Sequence, residues 1–264
     1  MARHVVMFSG GLGSWAAAKR VATNYGTKNL TLLFSDTLIE DQDLYRFLRE
    51  AARNVGAPLI RVADGRTPWQ VYRDERFLGN ARIDPCSRVL KREPAARWLK
   101  ENCSPKSTVV HLGIDWTESH RFERVRAIRE KEGWKYTAPL CNPPYLSKDD
   151  ILQWLARENI RAPRLYSLGF VHNNCGGFCC KAGQAHFANL LRKLPERYAE
   201  HEAEEMRLRR FLRKNVSILA DRCGGGTRKP LTLRDFRRRL KKEEAIDEYD
   251  LGGCGCFAGG EQDG

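Results

Sequence analysis

A glycine-rich loop between an apolar run and a helical pattern is the feature that most constrains how this chain folds. Residues 4–8 are mostly apolar, and the sequence SGGLGS follows at 9–14. Residues 14–25 then have Ala16, Ala17, Ala18 and Val21 in a helix-compatible pattern. This order predicts a strand, a tight loop and a helix. Further apolar runs at 30–34 and 58–62, separated by a helical pattern, predict a parallel α/β sheet.

The same loop is a candidate phosphate-binding site because it precedes the predicted helix. Backbone N–H groups at a helix N-terminus attract anions, and glycines let an anion approach closely. The candidate nucleotide-binding residues of the loop are Ser9, Gly10, Gly11, Gly13 and Ser14. Two alternatives remain open. Gly11, Gly13 and Ala16 also satisfy a dinucleotide fingerprint with Asp36 as the ribose-binding acid, or the loop is a turn without a ligand.

The size and composition of the chain exclude several classes of protein. With 264 residues it can bury a core without disulfides. No stretch approaches the roughly 18 consecutive apolar residues of a membrane span, and residues 1–10 lack the apolar segment of a signal peptide. We therefore expect a cytoplasmic protein with no membrane partner. Because cytoplasmic thiols stay reduced, the nine cysteines favour metal ligation or catalysis.

Motifs over about residues 4–187 resemble those of one protein family. The pattern Ser-Gly-Gly-x-x-Ser resembles the PP-loop of the adenine nucleotide alpha-hydrolase-like superfamily. Later segments resemble its phosphoadenosine phosphosulfate (PAPS) reductase branch, in the family's order. These segments are SDT at 35–37 with Glu40, PCSxxLK at 85–91, GIDxxESxR at 113–121, and PL at 139–140 with DDIxxW at 149–154.

The resemblance implies both a fold and a site. We expect an α/β fold with a Rossmann-like parallel sheet of the PP-loop type, followed by a mainly helical, cysteine-rich C-terminal region. The nucleotide-binding domain would span residues 1–165 and the helical basic region 166–264. By resemblance, Asp36 would bind the nucleotide, and Lys91, Glu118 and Arg121 would be catalytic residues beside it. The alternative for Glu118 and Arg121 is an exposed ion pair on a helix.

Two positions and the C-terminal tail segment depart from the family pattern. Gly13 stands where the PP-loop has an Asp, and Asp115 stands where the Gly-x-Arg element has its Arg. The tail also differs, because the sulfonucleotide reductases carry a Glu-Cys-Gly tail whose Cys attacks sulfur, whereas this chain has GGCGCF at 252–257. The missing loop carboxylate argues against ATP cleavage, and the changed tail argues against sulfonucleotide reduction.

Two glycine-flanked cysteine clusters, CGGFCC at 175–180 and CGC at 254–256, predict a metal centre. Four thiolates suit an iron–sulfur cluster. The arrangement is similar to that of the iron–sulfur adenylyl-sulfate reductases, although the second pair here is Cys-x-Cys rather than Cys-x-x-Cys. We expect Cys175, Cys179, Cys254 and Cys256 to hold a [4Fe–4S] cluster, with Cys180 as the substitute ligand and zinc as the alternative metal.

Cys86 is a separate candidate for chemistry. It precedes a predicted helix and is followed by Arg88, Lys91 and Arg92, a setting that favours the thiolate. Its predicted role is that of a nucleophile, a sulfur carrier or an extra cluster ligand. The alternative is a buried neighbour of the helix start.

The positive charge of the chain is concentrated in one segment. The formal net charge is +13, and residues 181–242 hold 18 Lys/Arg against 7 Asp/Glu. Such a segment indicates either a polyanion partner or a solvated helical face neutralised by nearby glutamates. The candidate nucleic-acid contacts are Arg234, Arg238, Lys241 and Lys242.

These observations lead to one function and two alternatives. The leading expectation is an enzyme that binds ATP with Mg²⁺, adenylates an oxygen of tRNA or DNA, and displaces AMP with sulfur carried by the cluster or Cys86, with a sulfur-donor protein as partner. This resembles the nucleic-acid sulfurtransferases of the superfamily. The alternatives are a reductase of adenylyl sulfate or PAPS that forms sulfite, and a silent nucleotide- or nucleic-acid-binding module with a structural metal.

Overall fold

Five parallel strands form the central sheet of the protein. The computed structural model describes residues 2–80, 83–221, 229–250 and 252. The strands are β1 (Arg3–Met7), β2 (Leu30–Asp36), β3 (Leu59–Ala63), β4 (Thr108–His111) and β5 (Lys135–Thr137), in the order β3-β2-β1-β4-β5. Val6 pairs with Leu32 on one side and with His111 on the other. The expected α/β class with a Rossmann-like parallel sheet is confirmed.

Helices cover both faces of this sheet. On one face, the buried side of α1 packs with that of α2 around Trp15, Phe47 and Leu32. On the other, Val5 and Val110 pack against Leu99. The helices before residue 160 are α1 (Leu12–Tyr25), α2 (Gln42–Val55), α3 (Pro68–Asp74), α4 (Pro85–Ser87), α5 (Glu93–Asn102), α6 (Ser119–Lys131) and α7 (Lys148–Arg157), with one turn of π-helix (Arg88–Arg92) joining α4 to α5.

The C-terminal part is mainly helical, as expected. It contains α8 (Arg164–Ser167), α9 (Gln184–Lys193), α10 (Pro195–Leu212), a two-stranded antiparallel ribbon of β6 (Leu219–Asp221) and β7 (Lys229–Leu231), and α11 (Leu233–Lys241). Its core includes Tyr198 and Phe236 but also Trp69 and Tyr72 of α3. The division at residue 165 stays a prediction, and α3 contributes to the second core although it precedes that boundary.

Buried Glu205 ties the ribbon to α10. Its two carboxylate oxygens accept the backbone N–H groups of Ile218 and Leu233, at 2.9 and 2.6 Å. The strands β5, β6 and β7 are three residues long and partly exposed, so they carry too little periodicity for the sequence to reveal them. Within the described residues, no helix is both long and apolar enough to cross a membrane.

Two histidines form a buried pair across the middle of the sheet. His4 Nδ1 lies 2.9 Å from His111 Nε2, and His111 Nδ1 lies 2.7 Å from the Thr137 hydroxyl. Burial, and then the neighbouring His4, lower the pKa of His111 to about 3. Burial also lowers the pKa values of His172 and His201 to about 3. These side chains are therefore neutral in the folded protein at pH 7.

We predict that the free energy of unfolding falls as the pH drops below about 6.5. In this range the histidines bind protons in the unfolded protein but stay neutral when they are buried in the folded one. Each such histidine contributes a slope of up to about 1.4 kcal/mol per pH unit between about pH 6.5 and pH 3. Urea unfolding at pH 7.5, 6.0 and 5.0 measures the slope. His111→Asn should reduce it by about one histidine's share, whereas the same change at exposed His120 should not. An unchanged slope in His111→Asn would contradict the assignment.

Candidate functional site

The glycine-rich loop joins β1 to α1 at the carboxyl edge of the sheet. Gly10 has a φ of 77°, and its carbonyl accepts the Asn173 side-chain N–H at 3.0 Å. The Ser14 hydroxyl donates to the Gly11 carbonyl at 2.8 Å. Gly11, at the N-cap position of α1, provides no side-chain cap, and the first turn of the helix contains no acidic residue. Its N-terminal N–H groups therefore present a site for an anion.

A backbone-to-backbone contact explains Gly13. A Cβ at position 13 would lie 2.7 Å from the Gly113 carbonyl oxygen, and a Cβ at Gly113 would lie 2.7 Å from the Ser14 backbone. The first turn of α1 thus packs directly on the loop that follows β4. A side chain at either position would force these segments apart, so the missing loop carboxylate is coupled to this close approach.

A cleft opens beside the loop and collects side chains from separate parts of the sequence. Glu118 and Arg121 form an ion pair there, at the start of α6. Lys91, which is 5% exposed, reaches the cleft from the π-helical turn. Of the residues selected from the sequence, the cleft is lined by Ser9, Gly11, Gly13, Ser14, Lys91, Glu118 and Arg121.

Sequence reasoning missed the residues that the C-terminal part adds to the cleft. Tyr166, His172, Asn173 and Asn174 line it, and the Tyr166 hydroxyl accepts the Leu12 N–H at 3.3 Å. Asn173 is 1% exposed, and its Oδ1 has no partner among the described residues. His172 Nδ1 is likewise buried without one there. The pair Asn173-Asn174 immediately before Cys175 was the available signal, but asparagine pairs are also common in turns.

Asp36 lies at the end of β2 but does not line this cleft. It is fully buried, and its carboxylate accepts hydrogen bonds from the Tyr45 hydroxyl at 3.0 Å, from Arg61 at 2.7 Å and from the Leu38 N–H at 2.8 Å. These bonds hold the chain where it leaves the sheet. A direct contact of Asp36 with a nucleotide stays a prediction.

A second, smaller pocket lies next to the cleft and is lined by four cysteines. These are Cys86, Cys175, Cys179 and Cys180, and we call the space between them the cysteine pocket. The Tyr72 hydroxyl donates to the Cys86 sulfur at 3.1 Å, and the Cys86 and Cys180 sulfurs lie 4.0 Å apart. Lys91 lines the cysteine pocket as well as the cleft. The two spaces therefore share a wall.

The environments of two of these thiols differ. The hydrogen bond with Cys180 is the main factor that lowers the pKa of Cys86, with help from the Tyr72 hydroxyl and the charge of Lys91. The same bond, together with burial, raises the pKa of Cys180. Cys86 is thus favoured as the anionic partner and Cys180 as the protonated one.

A known protein family matches most of this chain in sequence. A sequence model of the phosphoadenosine phosphosulfate reductase domain matches residues 3–182. The chain belongs to the PAPS reductase family. A PAPS reductase from Candida auris, solved as a phosphate complex, is 17% identical, with a TM-score of 0.44 over 64% of this chain and 77% of that one. No curated protein matches the chain in sequence.

The described residues of this family member do not by themselves contain the expected metal site. Among them, no group of three or more His, Cys, Asp or Glu side chains is placed to hold a metal ion. Cys254 and Cys256, two of the four expected ligands, lie outside the described residues. Gly252, which precedes them, forms an antiparallel bridge with Ala182, two residues after Cys180. A metal held by Cys175, Cys179, Cys254 and Cys256 stays a prediction.

Acidic partners neutralise part of the basic C-terminal segment of this PAPS reductase family member. Glu202 accepts hydrogen bonds from Arg237 and lies 3.5 Å from Arg234, while Arg238 pairs with Asp235. Lys241 and Lys242 are exposed at the end of α11. Nucleic-acid binding through Arg234, Arg238, Lys241 and Lys242 stays a prediction.

We predict that Gly13→Asp, which introduces the residue that the PP-loop pattern has at this position, weakens nucleotide binding by about tenfold or more. A steric clash worth about 1.4 kcal/mol has an effect of that size. The Cβ would strike the Gly113 carbonyl, and the new carboxylate would repel phosphate. Titration calorimetry with PAPS, adenylyl sulfate and ATP provides the measurement. Gly13→Ala separates the two causes, since it keeps the clash without the charge. Tighter binding by Gly13→Asp would contradict this account of the loop.

Proposed function

We propose that this protein is a sulfonucleotide reductase, which binds an adenine nucleotide carrying sulfate in the cleft and reduces the sulfate to sulfite with cysteine thiols. One observation carries the proposal. Lys91 lines both the cleft with the phosphate loop and the pocket with four cysteines. A sulfate group bound near this cation would lie at the wall that separates the nucleotide from the thiols.

The charges around the cleft suit a dianionic ligand. The N-terminus of α1 supplies N–H donors, and Arg121 and Lys91 supply positive charge. His172 is neutral at pH 7, so it can offer one ring N–H and one ring acceptor. Glu118 partly neutralises Arg121, and an incoming phosphate or sulfate would compete for that guanidinium.

The cysteine pocket supplies a candidate nucleophile in place of the missing tail motif. The family's reductases use a cysteine in the C-terminal tail, and this chain lacks the surrounding tail motif. Cys86, half-buried beside Lys91, offers a nucleophile within the described fold. Pre-positioning of thiol and sulfonucleotide at the shared wall would convert a bimolecular attack into an intramolecular one.

A second function is favoured by the loop itself. Its sequence retains Ser-Gly-Gly-x-x-Ser, which suits cleavage of ATP between the α and β phosphates in related sulfurtransferases. In that case ATP with Mg²⁺ would adenylate an oxygen of a nucleic acid, and sulfur from Cys86 would displace AMP. Lys241 and Lys242 at the exposed end of α11 would contact the nucleic-acid backbone.

We predict that the purified protein releases sulfite from PAPS or adenylyl sulfate in the presence of a dithiol reductant. The matched reaction supplies ATP, Mg²⁺ and either tRNA or duplex DNA, and records pyrophosphate. Sulfite without pyrophosphate identifies the reductase. Pyrophosphate that depends on nucleic acid identifies the sulfurtransferase and rejects the reductase. Nucleotide binding with neither product would identify a silent binding module.

We further propose a metal centre held by Cys175, Cys179, Cys254 and Cys256, with a [4Fe–4S] cluster first and zinc second. When bound, a cluster would tune the electronic environment beside the thiols. We predict broad visible absorbance in anaerobically purified protein and its loss in Cys175→Ser and in Cys254→Ser. The control is Cys103→Ser, a cysteine outside the pocket. A colourless protein with one equivalent of zinc would replace the cluster, and a metal-free protein would reject the centre.

A further inference from the structure

Asn173 is a buried residue with one hydrogen-bonding atom that no described residue satisfies. It is 1% exposed, it lines the cleft, and its side-chain N–H donates to the Gly10 carbonyl at 3.0 Å. A carbonyl oxygen can only accept a hydrogen bond, so the amide nitrogen must face Gly10 and Oδ1 is left for another partner. Oδ1 has no partner among the described residues. Because an unsatisfied buried acceptor costs free energy, a ligand that brings a donor into the cleft gains from this atom.

The segment around Asn173 is held in place, so this acceptor has a defined position. The ring of His172 stacks on that of His186 with the centroids 5.5 Å apart, and His186 Nε2 lies 2.7 Å from the Gly177 carbonyl oxygen. His172 Nδ1 is a second buried atom without a partner in the described part of the chain. The role of that ring nitrogen depends on the tautomer, whereas Asn173 Oδ1 can only accept. The cleft therefore presents a fixed acceptor next to the glycine-rich loop.

The chemistry of a nucleotide limits which donor can reach this atom. Ionised phosphate and sulfate groups carry acceptor oxygens only, so an anion at the N-terminus of α1 cannot satisfy Asn173 Oδ1. In an adenine nucleotide the donors are the ribose hydroxyls and the amino group of the base. Asn173 is bonded to the loop itself through Gly10, and the ribose is the part of the nucleotide that is joined directly to the phosphates. A ribose hydroxyl is therefore the nearest available donor.

We propose that Asn173 selects ribonucleotides by accepting a hydrogen bond from a ribose hydroxyl through Oδ1, while its N–H group holds the glycine-rich loop. This inference rests on the proposed function in one respect, the presence of a nucleotide in the cleft, and it adds a specificity residue from the C-terminal part. The two ends of one side chain then link recognition of the sugar to the position of the loop that binds phosphate. A sugar without the hydroxyl leaves a buried acceptor unpaired, and binding sites discriminate strongly on that ground.

Titration calorimetry on wild-type protein tests the proposal with four probes: ADP, 2′-deoxy-ADP, 3′-deoxy-ADP and inorganic pyrophosphate. ADP is a stable nucleotide with two linked anionic groups, as in a sulfonucleotide. At least one deoxy analogue should bind about fivefold or more weakly than ADP, because that is the effect of one hydrogen bond lost from a buried group. The analogue that binds weakly identifies the hydroxyl. Equal affinity for all three nucleotides would overturn the proposal, and this comparison needs no variant protein.

Asn173→Ala separates the two ends of the side chain. Loss of the bond to Gly10 should weaken all four probes, pyrophosphate included, by a common factor, and loss of the acceptor should remove the preference for ADP over the deoxy analogue. The matched control is Asn189→Ala. The Asn189 N–H also donates to a backbone carbonyl, that of Leu168 at 3.0 Å, but Asn189 lies outside the described residues that line the cleft, so this variant should keep the wild-type preference. A ribose preference that persists in Asn173→Ala would overturn the assignment of Oδ1.

The outcomes separate this inference from the function on which it rests. If the protein releases sulfite but binds the deoxy analogues as tightly as ADP, the reductase stands and the role of Asn173 is wrong. If the ribose preference depends on Asn173 but no sulfite forms, the recognition of the sugar stands and the reductase is rejected. If pyrophosphate binds and ADP does not, the loop holds an anion without a nucleotide, and the selection of ribose by Asn173 is rejected.

Discussion

The buried charge of Lys91 is the constraint on which the arrangement of the site depends. Lys91 is 5% exposed, and the nearby Glu40 is 4% exposed. Burial raises the pKa of Glu40, and attraction to Lys91 opposes that rise. Since a buried cation is costly without partners, the end of β2 must stay in place to support it. The Asp36 bonds to Tyr45 and Arg61 anchor the chain there, which explains a buried carboxylate outside the cleft.

The π-helical turn sets how Lys91 relates to Cys86. Both lie in one helical stretch, and the wider turn over Arg88–Arg92 lies between α4 and α5. The Ser35 hydroxyl bonds the Lys91 carbonyl at 3.1 Å and so fixes this turn to β2. Such turns occur often at functional sites because they reorient side chains within a helix. Here Lys91 faces both the cleft and the cysteine pocket.

Local features were the ones that the sequence could predict. The strand, glycine loop and helix at residues 4–25 follow from apolar periodicity, and the parallel sheet follows from its repetition. Tyr166, His172 and Asn173 were missed because they lie more than 150 residues after the glycine-rich loop in the sequence and belong to no periodic pattern. The proximity of Cys86 and Cys180 was also missed, because these residues are 94 positions apart and no sequence pattern links them. Neutralisation by nearby glutamates was one of the two interpretations of the basic segment, and Glu202 does pair with Arg237 across α10 and α11; the sequence did not show which arginine it would pair with.

Two departures from the family pattern, at positions 13 and 115, lie in neighbouring segments of the structure and each has a local structural cause. Gly13 and Gly113 lack side chains because two backbones meet there. Asp115 caps the short helical turn that follows, where its carboxylate accepts the Thr117 N–H at 2.9 Å and hydroxyl at 2.5 Å. A carboxylate cannot supply the positive charge of the arginine that the family pattern has at this position. An anion in this cleft would meet Arg121, Lys91 and the N-terminus of α1, and of these Lys91 also lines the cysteine pocket.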